Sequence, residues 1–258
     1  MPNRRKGERL DERVVREGLA ESRSAAQALI LAGRILVDDA PVDKAGVRVG
    51  PDARVRVKGG VRRFVSRGGD KLEGALADLG LDPRGSACLD VGASTGGFTD
   101  CLLQHGARRV VALDVGHGQL HARLRQDARV DVRERVNARH LTADAFDERF
   151  DLVVVDVSFI SVDRLLPALH ACAPEAELLV LVKPQFEVGR DQVGKGGVVR
   201  DDALRESAAD RIARAAAAFG WREHGRADSR LAGPKGNREI FVRLVPNGLD
   251  EGHPRVDE

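Results

Sequence analysis

The stretch CLDVGASTGGFTD, residues 88–100, begins as an apolar strand and runs at once into small residues. It matches the phosphate-binding pattern GxxxxGK[ST] except at the lysine position, which holds Phe98. An apolar ring cannot supply the cation that offsets a triphosphate, so the sequence disfavours a nucleoside triphosphate site. The dinucleotide pattern GxGxxG also fails, because Ser94 stands where the second glycine is required. The stretch therefore predicts a tight turn from a strand into a helix, beside a ligand with little negative charge.

Strand-like and helical segments alternate on the C-terminal side of this turn, and this order is typical of a parallel sheet wrapped by helices. The apolar stripe from Leu204 to Phe219 predicts that the last helix packs against the sheet. We expect an α/β fold with a Rossmann-like, doubly wound, mostly parallel sheet. The predicted strands are 86–91, 109–114, 129–132, 150–157 and 177–183, followed by a helix at 201–219 and two final strands.

Composition and length limit the classes of protein that this chain can represent. The 258 residues are 32% charged and 42% hydrophobic, which is typical of a globular protein. No apolar stretch approaches the roughly 20 residues that span a bilayer, so we expect a monomeric cytoplasmic protein without a membrane partner. The three cysteines, Cys88, Cys101 and Cys172, are too few and too scattered for a disulfide framework or a paired metal motif. We therefore predict no metal site.

The net charge of +2 conceals an asymmetry along the chain. Residues 1–69 hold 16 Lys or Arg against 9 Asp or Glu, a net +7, whereas the remainder holds 26 against 31, a net −5. A basic segment of this kind is the usual footprint of a nucleic-acid contact, and an ordinary solvated surface is the alternative.

The basic segment also has its own pattern of elements. Apolar residues at helical spacing between residues 8 and 33 predict two short helices, with a break at Gly18 and a start signal at Ser22. Alternation from Arg34 to Val57 then predicts short strands. We expect a small N-terminal α/β module. The predicted domains are the module at 1–60, a linker at 61–70 within KGGVRRFVSRGGDK, a larger α/β domain at 71–247 and a tail at 248–258.

The N-terminal module resembles the RNA-binding module named after a small-subunit ribosomal protein. The segment RLDERVVREGLAESRSAAQALILAGRILVDDAPV follows the pattern of that family, and the resemblance covers about residues 8–57. It implies that RNA phosphates contact Arg9, Arg23, Arg34 and Lys44, for each of which an ordinary surface charge is the alternative.

Charged residues follow several strands of the larger α/β domain. Ligands of an open α/β sheet bind beyond the carboxyl ends of its strands. Asp114 ends the strand RRVVALD, where a carboxylate can accept hydrogen bonds from both ribose hydroxyls of a nucleoside. Asp156 and Lys183 end two very apolar strands, and burying either charge is costly unless it is paired. We therefore expect these two to pair or to face a cleft.

A nucleoside-binding loop, a ribose acid and a lysine beside a carboxylate favour S-adenosylmethionine over a nicotinamide cofactor. The chain resembles the FtsJ-like ribose 2′-O-methyltransferases, whose catalytic order Lys, Asp, Lys, Glu matches Lys71, Asp156, Lys183 and Glu239. Together with its RNA-binding module, the chain is similar to the TlyA family of ribosomal RNA 2′-O-methyltransferases. The segments that resemble sequences of that family are VSRGG, DVGASTGGFT, DVSFIS, LVKPQFEVG and GNREIF. This resemblance implies a cytidine ribose in ribosomal RNA, free or in ribosomal subunits, as the methyl acceptor.

The roles of these residues follow from the reaction. A ribose hydroxyl must lose its proton as it attacks a methyl group, so we assign Lys183 as the base, oriented by Asp156 and Glu239, with electrostatic support from Lys71. Asp90 is expected either to bind the cofactor's ammonium group or to buttress the loop, and Asn137 is assigned to the adenine end by resemblance. The predicted cofactor-binding residues are Asp90, Gly92, Ala93, Ser94, Thr95, Gly96, Gly97, Asp114, Asn137 and Asp156.

Other functions fit the sequence less well. A base carbon-5 methyltransferase needs a nucleophilic cysteine, usually after proline, and no cysteine follows a proline here. An exocyclic-amine methyltransferase usually carries Pro-Pro-aromatic after the aspartate, whereas Asp156 precedes Val-Ser-Phe. Because proteins similar to TlyA have been labelled haemolysins, a membrane-damaging protein is an alternative, and an RNA-binding protein with an inactive enzyme domain is another.

Overall fold

The computed structural model describes residues 7–60, 63–233 and 235–248. The chain divides into two compact units, residues 1–62 and 63–258. Of the predicted C-terminal tail, 248–258, only Gly248 falls within the described residues. Across the described part of the chain, no helix has the length and apolar character needed to cross a membrane.

Within residues 7–60, the N-terminal unit contains the two predicted helices and five short strands. Helix α2 (Arg23–Leu31) begins after Ser22, whose side chain accepts a hydrogen bond of 3.2 Å from the amide of Ala25, the usual arrangement at a helix N-cap. Leu10, Val14 and Ile30 are fully buried between the two helices and the strands. The elements are β1 (Glu8–Arg9), α1 (Leu10–Arg16), α2 (Arg23–Leu31), β2 (Ile35–Val37), β3 (Ala40–Pro41), β4 (Arg48–Val49) and β5 (Val55–Val57). Strand β1 pairs with β4, and the other three form a sheet in the order β3-β2-β5.

The C-terminal unit is built on one seven-stranded sheet. Its strands are β6 (Ala87–Val91), β7 (Arg109–Asp114), β8 (Val130–Glu134), β9 (Leu152–Val155), β10 (Glu177–Val182), β11 (Trp221–Asp228) and β12 (Ile240–Pro246). The sheet order is β11-β12-β10-β9-β6-β7-β8, in which the five strands from β10 to β8 are parallel and β12 is antiparallel to both of its neighbours. The predicted mostly parallel sheet is thus confirmed.

Helices cover both faces of this sheet, which explains why its central parallel strands β6, β9 and β10 are predominantly apolar. The helices are α3 (Arg67–Asp78), α4 (Gly97–Gln104), α5 (Ala122–Arg125), α6 (Leu166–Cys172), α7 (Pro184–Glu187) and α8 (Asp202–Ala217). Alternate residues of β9 point to opposite faces, since Val153 packs in one core with α6 and α8 and Val154 packs in the other with α3 and α4. The result is a three-layer α/β/α domain.

The structure differs from the predicted linker at 61–70. Helix α3 begins at Arg67, and Phe64 before it is only 2% exposed. The two glycine pairs of KGGVRRFVSRGGDK suggested a connector, yet Gly68 and Gly69 lie inside the helix, and a Cβ on Gly69 would overlap the ring of Phe64. Close packing, rather than chain flexibility, therefore explains that glycine.

The strand order sets the position of the ligand site. The chain continues from the central strand β6 to β7 and β8 on one side, and later to β9 and β10 on the other. Loops from such neighbouring strands run in opposite directions and leave a crevice at the carboxyl edge. The crevice lies between the ends of β6 and β9.

Candidate active site

Asp90 lies beneath the loop that follows β6 and is fully buried. Its Oδ2 accepts hydrogen bonds from the amide of Thr99, at 2.9 Å, and from the Thr99 hydroxyl, at 2.6 Å. Burial raises the pKa of Asp90 to about 7, and the nearby carboxylates of Asp156 and Asp114 add to the rise. These contacts tie β6 to the first turn of α4, as expected for the residue that buttresses the loop.

Gly92 allows the strand ends at the crevice to approach closely. Its φ of +90° is a conformation that favours glycine, and a Cβ there would overlap the backbone carbonyl of Asp156. The amide of Asp156 donates a hydrogen bond of 2.9 Å to the Val91 carbonyl, so the two chains remain in register up to this point. The glycine therefore fixes Asp156 at the base of the crevice.

A cavity of about 360 Å³ opens at this edge of the sheet, within the size range of small-molecule sites. The predicted cofactor residues divide into two groups. Those that line the cavity are Gly92, Ser94, Asp114, Asn137 and Asp156. The lining does not include Asp90, Ala93, Thr95, Gly96 or Gly97. Gly97 instead begins α4 and lies against Ser66 and Gly69 of the α3 start.

Asp114 holds the two loops at one side of the cavity. Its Oδ2 accepts a hydrogen bond of 2.8 Å from the Ser94 amide, and its Oδ1 accepts one of 2.6 Å from the Gly116 amide. Each carboxylate oxygen can accept a second hydrogen bond, so the group retains acceptor capacity toward a ligand. On the same wall, the Asn137 side chain caps a short 3₁₀ turn by accepting from the Arg139 amide.

Lys183 forms the first of two ion pairs at the carboxyl edge. Its Nζ lies 2.5 Å from Asp156 Oδ1 and donates a hydrogen bond of 2.9 Å to the Ser158 hydroxyl. The side chains of Lys183 and Asp156 are 11% and 23% exposed. The pair predicted from the two strand ends is therefore present, and it retains access to solvent.

The second ion pair joins Lys71 of α3 to Glu239, with 2.5 Å between Nζ and Oε2. Both side chains are nearly fully buried. Val182 pairs with Ile240 in the antiparallel ladder, so Lys183 and Glu239 are the next residues along neighbouring strands. The register thus brings both ion pairs to one edge of the sheet. Glu239 binds Lys71, whereas the sequence analysis expected it to orient Lys183.

Phe159 is an exposed aromatic residue beside these pairs. Its side chain belongs to the loop after Asp156, is 91% exposed and lines the cavity. The residue has a φ of +68°, which is strained for a bulky side chain, and its ring centroid lies 5.2 Å from that of Phe186. The site therefore presents an apolar face to solvent next to Lys183.

The four predicted RNA-contacting residues have different environments in the N-terminal unit. Arg9 and Arg23 both donate hydrogen bonds of 3.0 Å to the fully buried carboxylate of Asp11. Arg34 donates to the Lys58 carbonyl at 3.0 Å, and the exposed Lys44 has no ion pair within the described residues of the chain. The guanidinium of Arg9 and the other donors hold the pKa of Asp11 well below its usual range, so this carboxylate stays charged.

The crevice, the acidic end of β7 and the two ion pairs on this sheet define a Rossmann-like methyltransferase domain. Residues 64–245 match the family described as FtsJ-like methyltransferase, and residues 8–55 match the S4 domain. The chain belongs to the TlyA family of FtsJ-like methyltransferases.

Curated relatives match nearly the whole chain. The 16S/23S rRNA (cytidine-2′-O)-methyltransferase TlyA of Mycobacterium tuberculosis is 50% identical over 92% of this chain and 89% of the relative. Hemolysin A of Brachyspira hyodysenteriae is 43% identical over 92% of this chain and 99% of its own length. Both names therefore occur among proteins that share the two units.

Solved structures of similar proteins share the fold. A structure from Streptococcus thermophilus, described as a hemolysin, is 38% identical, with a TM-score of 0.72 over 94% of this chain and 90% of its own. Another from Lactococcus lactis, with the same description, is 44% identical, with a TM-score of 0.69 over 72% of this chain and 90% of its own.

Sequence reasoning missed three residues that organise these sites: Asp11, Phe159 and Glu187. Glu187 stands between Phe186 and Val188, and a charge among apolar residues is the signal that the same reasoning did apply to Asp156 and Lys183. Asp11 lies in the charged run RLDER, where one more carboxylate does not stand out. Phe159 gave no such signal, because its strained backbone and its exposure are visible only in the folded chain.

Proposed function

We propose that this protein transfers a methyl group from S-adenosylmethionine to the ribose 2′-hydroxyl of a cytidine in ribosomal RNA. The observation that carries the proposal is the Lys183–Asp156 ion pair beside the cavity, with the Lys71–Glu239 pair adjacent in register. The printed activity of the 50% identical relative supports the choice of substrate.

The residues around the cavity fit S-adenosylmethionine. Asp114 can accept hydrogen bonds from ribose hydroxyls, and Asn137 lies on the same wall for the adenine end. At Gly92 and Ser94 the backbone can closely approach the methionine part of the cofactor. When bound, this cofactor supplies a methyl group activated by its sulfonium charge.

The chain's own residues would act on the acceptor hydroxyl. Lys183 first gives its ammonium proton to solvent, to which the pair retains access, and its neutral Nζ then takes up the proton that the ribose 2′-hydroxyl loses during methyl transfer. Asp156, 2.5 Å away, stabilises the ammonium group so formed, and the Ser158 hydroxyl fixes the direction of the amine. Glu239 holds Lys71, whose charge adds a positive field at this edge of the sheet. This division of roles revises the assignment of Glu239 as a second group on Lys183.

Phe159 is the residue that would bind the base of the nucleotide that accepts the methyl group. An exposed aromatic face can stack on a nucleobase, and such stacking is worth about 1–3 kcal/mol per base. The ring would hold the base of the target nucleotide while its ribose faces Lys183.

The N-terminal unit supports the choice of ribosomal RNA as partner. The S4 domain and the basic composition of residues 1–69 favour contacts with RNA phosphates through Arg9, Arg23, Arg34 and Lys44. Free RNA and ribosomal subunits are both possible acceptors. A monomeric state and a cytoplasmic location complete the proposal.

Mapping of ribose methylation tests the proposal. Ribosomal RNA and ribosomal subunits are incubated with the protein and with S-adenosylmethionine, and 2′-O-methylated sites are located by their resistance to alkaline hydrolysis. We expect the unaltered protein to methylate a cytidine ribose and the Lys183→Ala variant not to do so. Methylation on a base, or leakage of liposomes without any RNA methylation, would overturn the proposal.

A further inference from the structure

Two segments that leave the sheet next to each other carry the residues on the acceptor side of the site. One continues from β10 through Lys183 into α7, and the other continues from β9 through Asp156 into the loop 157–161. They touch at three successive places along their length. These are Lys183 with Asp156 and Ser158, then Phe186 with Phe159, and finally Glu187 with Ser161 and Val162.

Glu187 makes the third of these contacts. Its side chain is 1% exposed. Its Oε2 accepts a hydrogen bond of 2.5 Å from the Ser161 hydroxyl, and its Oε1 accepts one of 2.9 Å from the Val162 amide. Both ends of the carboxylate are therefore committed to the far end of the loop that begins at Asp156.

Arg211 of α8 supports this contact from behind. Its Nη2 donates to the Glu187 carboxylate, to the Glu187 carbonyl at 2.8 Å and to the Ser161 hydroxyl at 3.2 Å. Its Nη1 donates to Asp163 at 3.1 Å. Helix α8 packs on the sheet through buried residues such as Ile212, so the network is anchored to the core.

The loop requires such an anchor because of the backbone at Phe159. A bulky residue with positive φ costs on the order of 1–3 kcal/mol and persists only where its surroundings determine the conformation. On one side the conformation is fixed by Asp156 and Ser158, which Lys183 holds. On the other side it is fixed by Ser161 and Val162, which Glu187 holds.

We infer that Glu187 is a positioning residue for methyl transfer, which fixes the loop 157–161 so that Phe159 and Ser158 meet the acceptor nucleotide beside Lys183. The inference rests on the proposed function and deepens it. It assigns a role in the reaction to a residue outside the lining of the cavity.

Glu187→Gln tests the inference, since glutamine preserves the volume but cannot pair with Arg211. We expect the single-turnover rate to fall about 10- to 100-fold, because displacing reacting groups by about 1 Å costs rates of this order. Affinity for the cofactor should stay within about twofold of the natural sequence. The matched control is Glu177→Gln, at the other end of β10, which loses an ion pair with Arg243 and should keep the natural rate.

A double variant separates positioning from stability. Losing one partner of a buried ion pair is destabilising, so Glu187→Gln lowers the free energy of unfolding, and adding Arg211→Gln should restore part of it. A positioning role predicts that the double variant stays slow. Recovery of the natural rate along with the stability would overturn the inference.

Two further readouts address the loop itself. The effects of Glu187→Gln and Phe159→Ala on the KM for RNA should be non-additive. Phe159→Ala removes the ring that Glu187 positions, so the second change has less left to disturb. Hydrogen exchange of the Val162 amide should accelerate in Glu187→Gln, and this measurement requires no methyl transfer. Unchanged exchange would contradict the inference, whereas an inactive natural sequence would contradict the proposed function instead.

Discussion

Among the residues that the structure describes, each unit buries one aspartate completely, and the two carboxyl groups have opposite environments. Asp11 of the N-terminal unit receives hydrogen bonds from Arg9, Arg23 and Gln27, and its pKa is lowered. Asp90 of the C-terminal unit receives hydrogen bonds from Thr99, and burial raises its pKa to about 7.

This difference reflects what each unit does with charge. In the N-terminal unit a permanent anion organises arginines whose outer edges reach solvent, which suits contacts with phosphates. In the C-terminal unit the buried carboxyl serves as a hydrogen-bond acceptor that shapes a ligand loop. The charges of that unit that would take part in chemistry are instead matched in two ion pairs, those of Lys183 and Lys71. The first unit is organised for binding and the second for reaction.

The largest expected effect concerns Lys183→Ala, which removes the group assigned to take up the ribose proton. Methyl transfer should fall by roughly 10²- to 10⁴-fold, about 3–5 kcal/mol of barrier. RNA affinity should change little, because the binding charges lie in the other unit. Single-turnover methylation at saturating cofactor and RNA measures the rate.

Asp114→Ala is the matched comparison for that measurement. It removes an acceptor on the cofactor side, so it should first weaken cofactor binding and leave the rate at saturation less affected. A near-normal single-turnover rate in Lys183→Ala would refute its assignment as the base.

The next effect is the pH dependence of stability in Asp90→Asn. Because folding raises the pKa of Asp90 from 3.8 to about 7, the folded state binds the proton more tightly. The contribution of Asp90 to the free energy of unfolding is therefore fully present below pH 3.8, and it is lost as the pH rises through about 7. Asparagine cannot titrate but can still accept from Thr99. The variant should therefore gain roughly 2–3 kcal/mol relative to the natural sequence between pH 5 and pH 8.

Urea unfolding followed by tryptophan fluorescence measures this effect, since the single tryptophan, Trp221, is buried in the C-terminal unit. Asp11→Asn is the contrasting control, and its unfolding is followed by circular dichroism because Trp221 lies in the other unit. The carboxyl of Asp11 is charged at both pH values in the folded and the unfolded chain, so the stability difference that the substitution causes should not depend on pH in this range. A constant difference for Asp90→Asn would show that Asp90 remains ionised in the folded protein.

The sequence predicted most of the fold because the C-terminal unit is regular. Each strand of the parallel sheet begins and ends within a few residues of its predicted bounds, since apolar runs covered on both faces have sharp ends. The start of α3 escaped prediction because Gly68 and Gly69 resemble a turn in sequence, whereas in the fold they permit close packing.

The site was predictable to the extent that strand ends determine it. Asp156 and Lys183 follow neighbouring parallel strands, so their pairing could be anticipated from the order of the strands. The pairing of Glu239 with Lys71 could not be anticipated, because it depends on how α3 packs beside β12. Likewise, the Glu187 contacts join segments 25 residues apart through a helix, α8, that comes later in the chain.

A smaller effect is expected when the N-terminal unit is removed. Deletion of residues 1–62 should weaken RNA binding by about 10- to 100-fold and flatten its salt dependence, since each lost phosphate contact lowers the slope by about 0.9. The cut is made before Phe64, which belongs to the core of the C-terminal unit. Affinity for ribosomal RNA against salt concentration measures the effect, and cofactor titration shows whether the remaining unit is intact. An unchanged slope would remove the RNA role from this unit.

The smallest effect, Lys44→Ala, tests whether individual charges of the N-terminal unit meet phosphates. Lys44 is exposed and, unlike Arg9 and Arg23, has no partner in Asp11, so its removal should leave the melting temperature unchanged. The salt slope for RNA should decrease by about 1, and affinity should fall by a similar factor for every RNA sequence. Asp43→Asn, at the neighbouring exposed acid, is the control and should raise affinity or leave it unchanged. If Lys44→Ala keeps the natural slope while Arg23→Ala lowers it, Lys44 does not contact RNA phosphates, and the contacts of this unit would include an arginine that Asp11 holds.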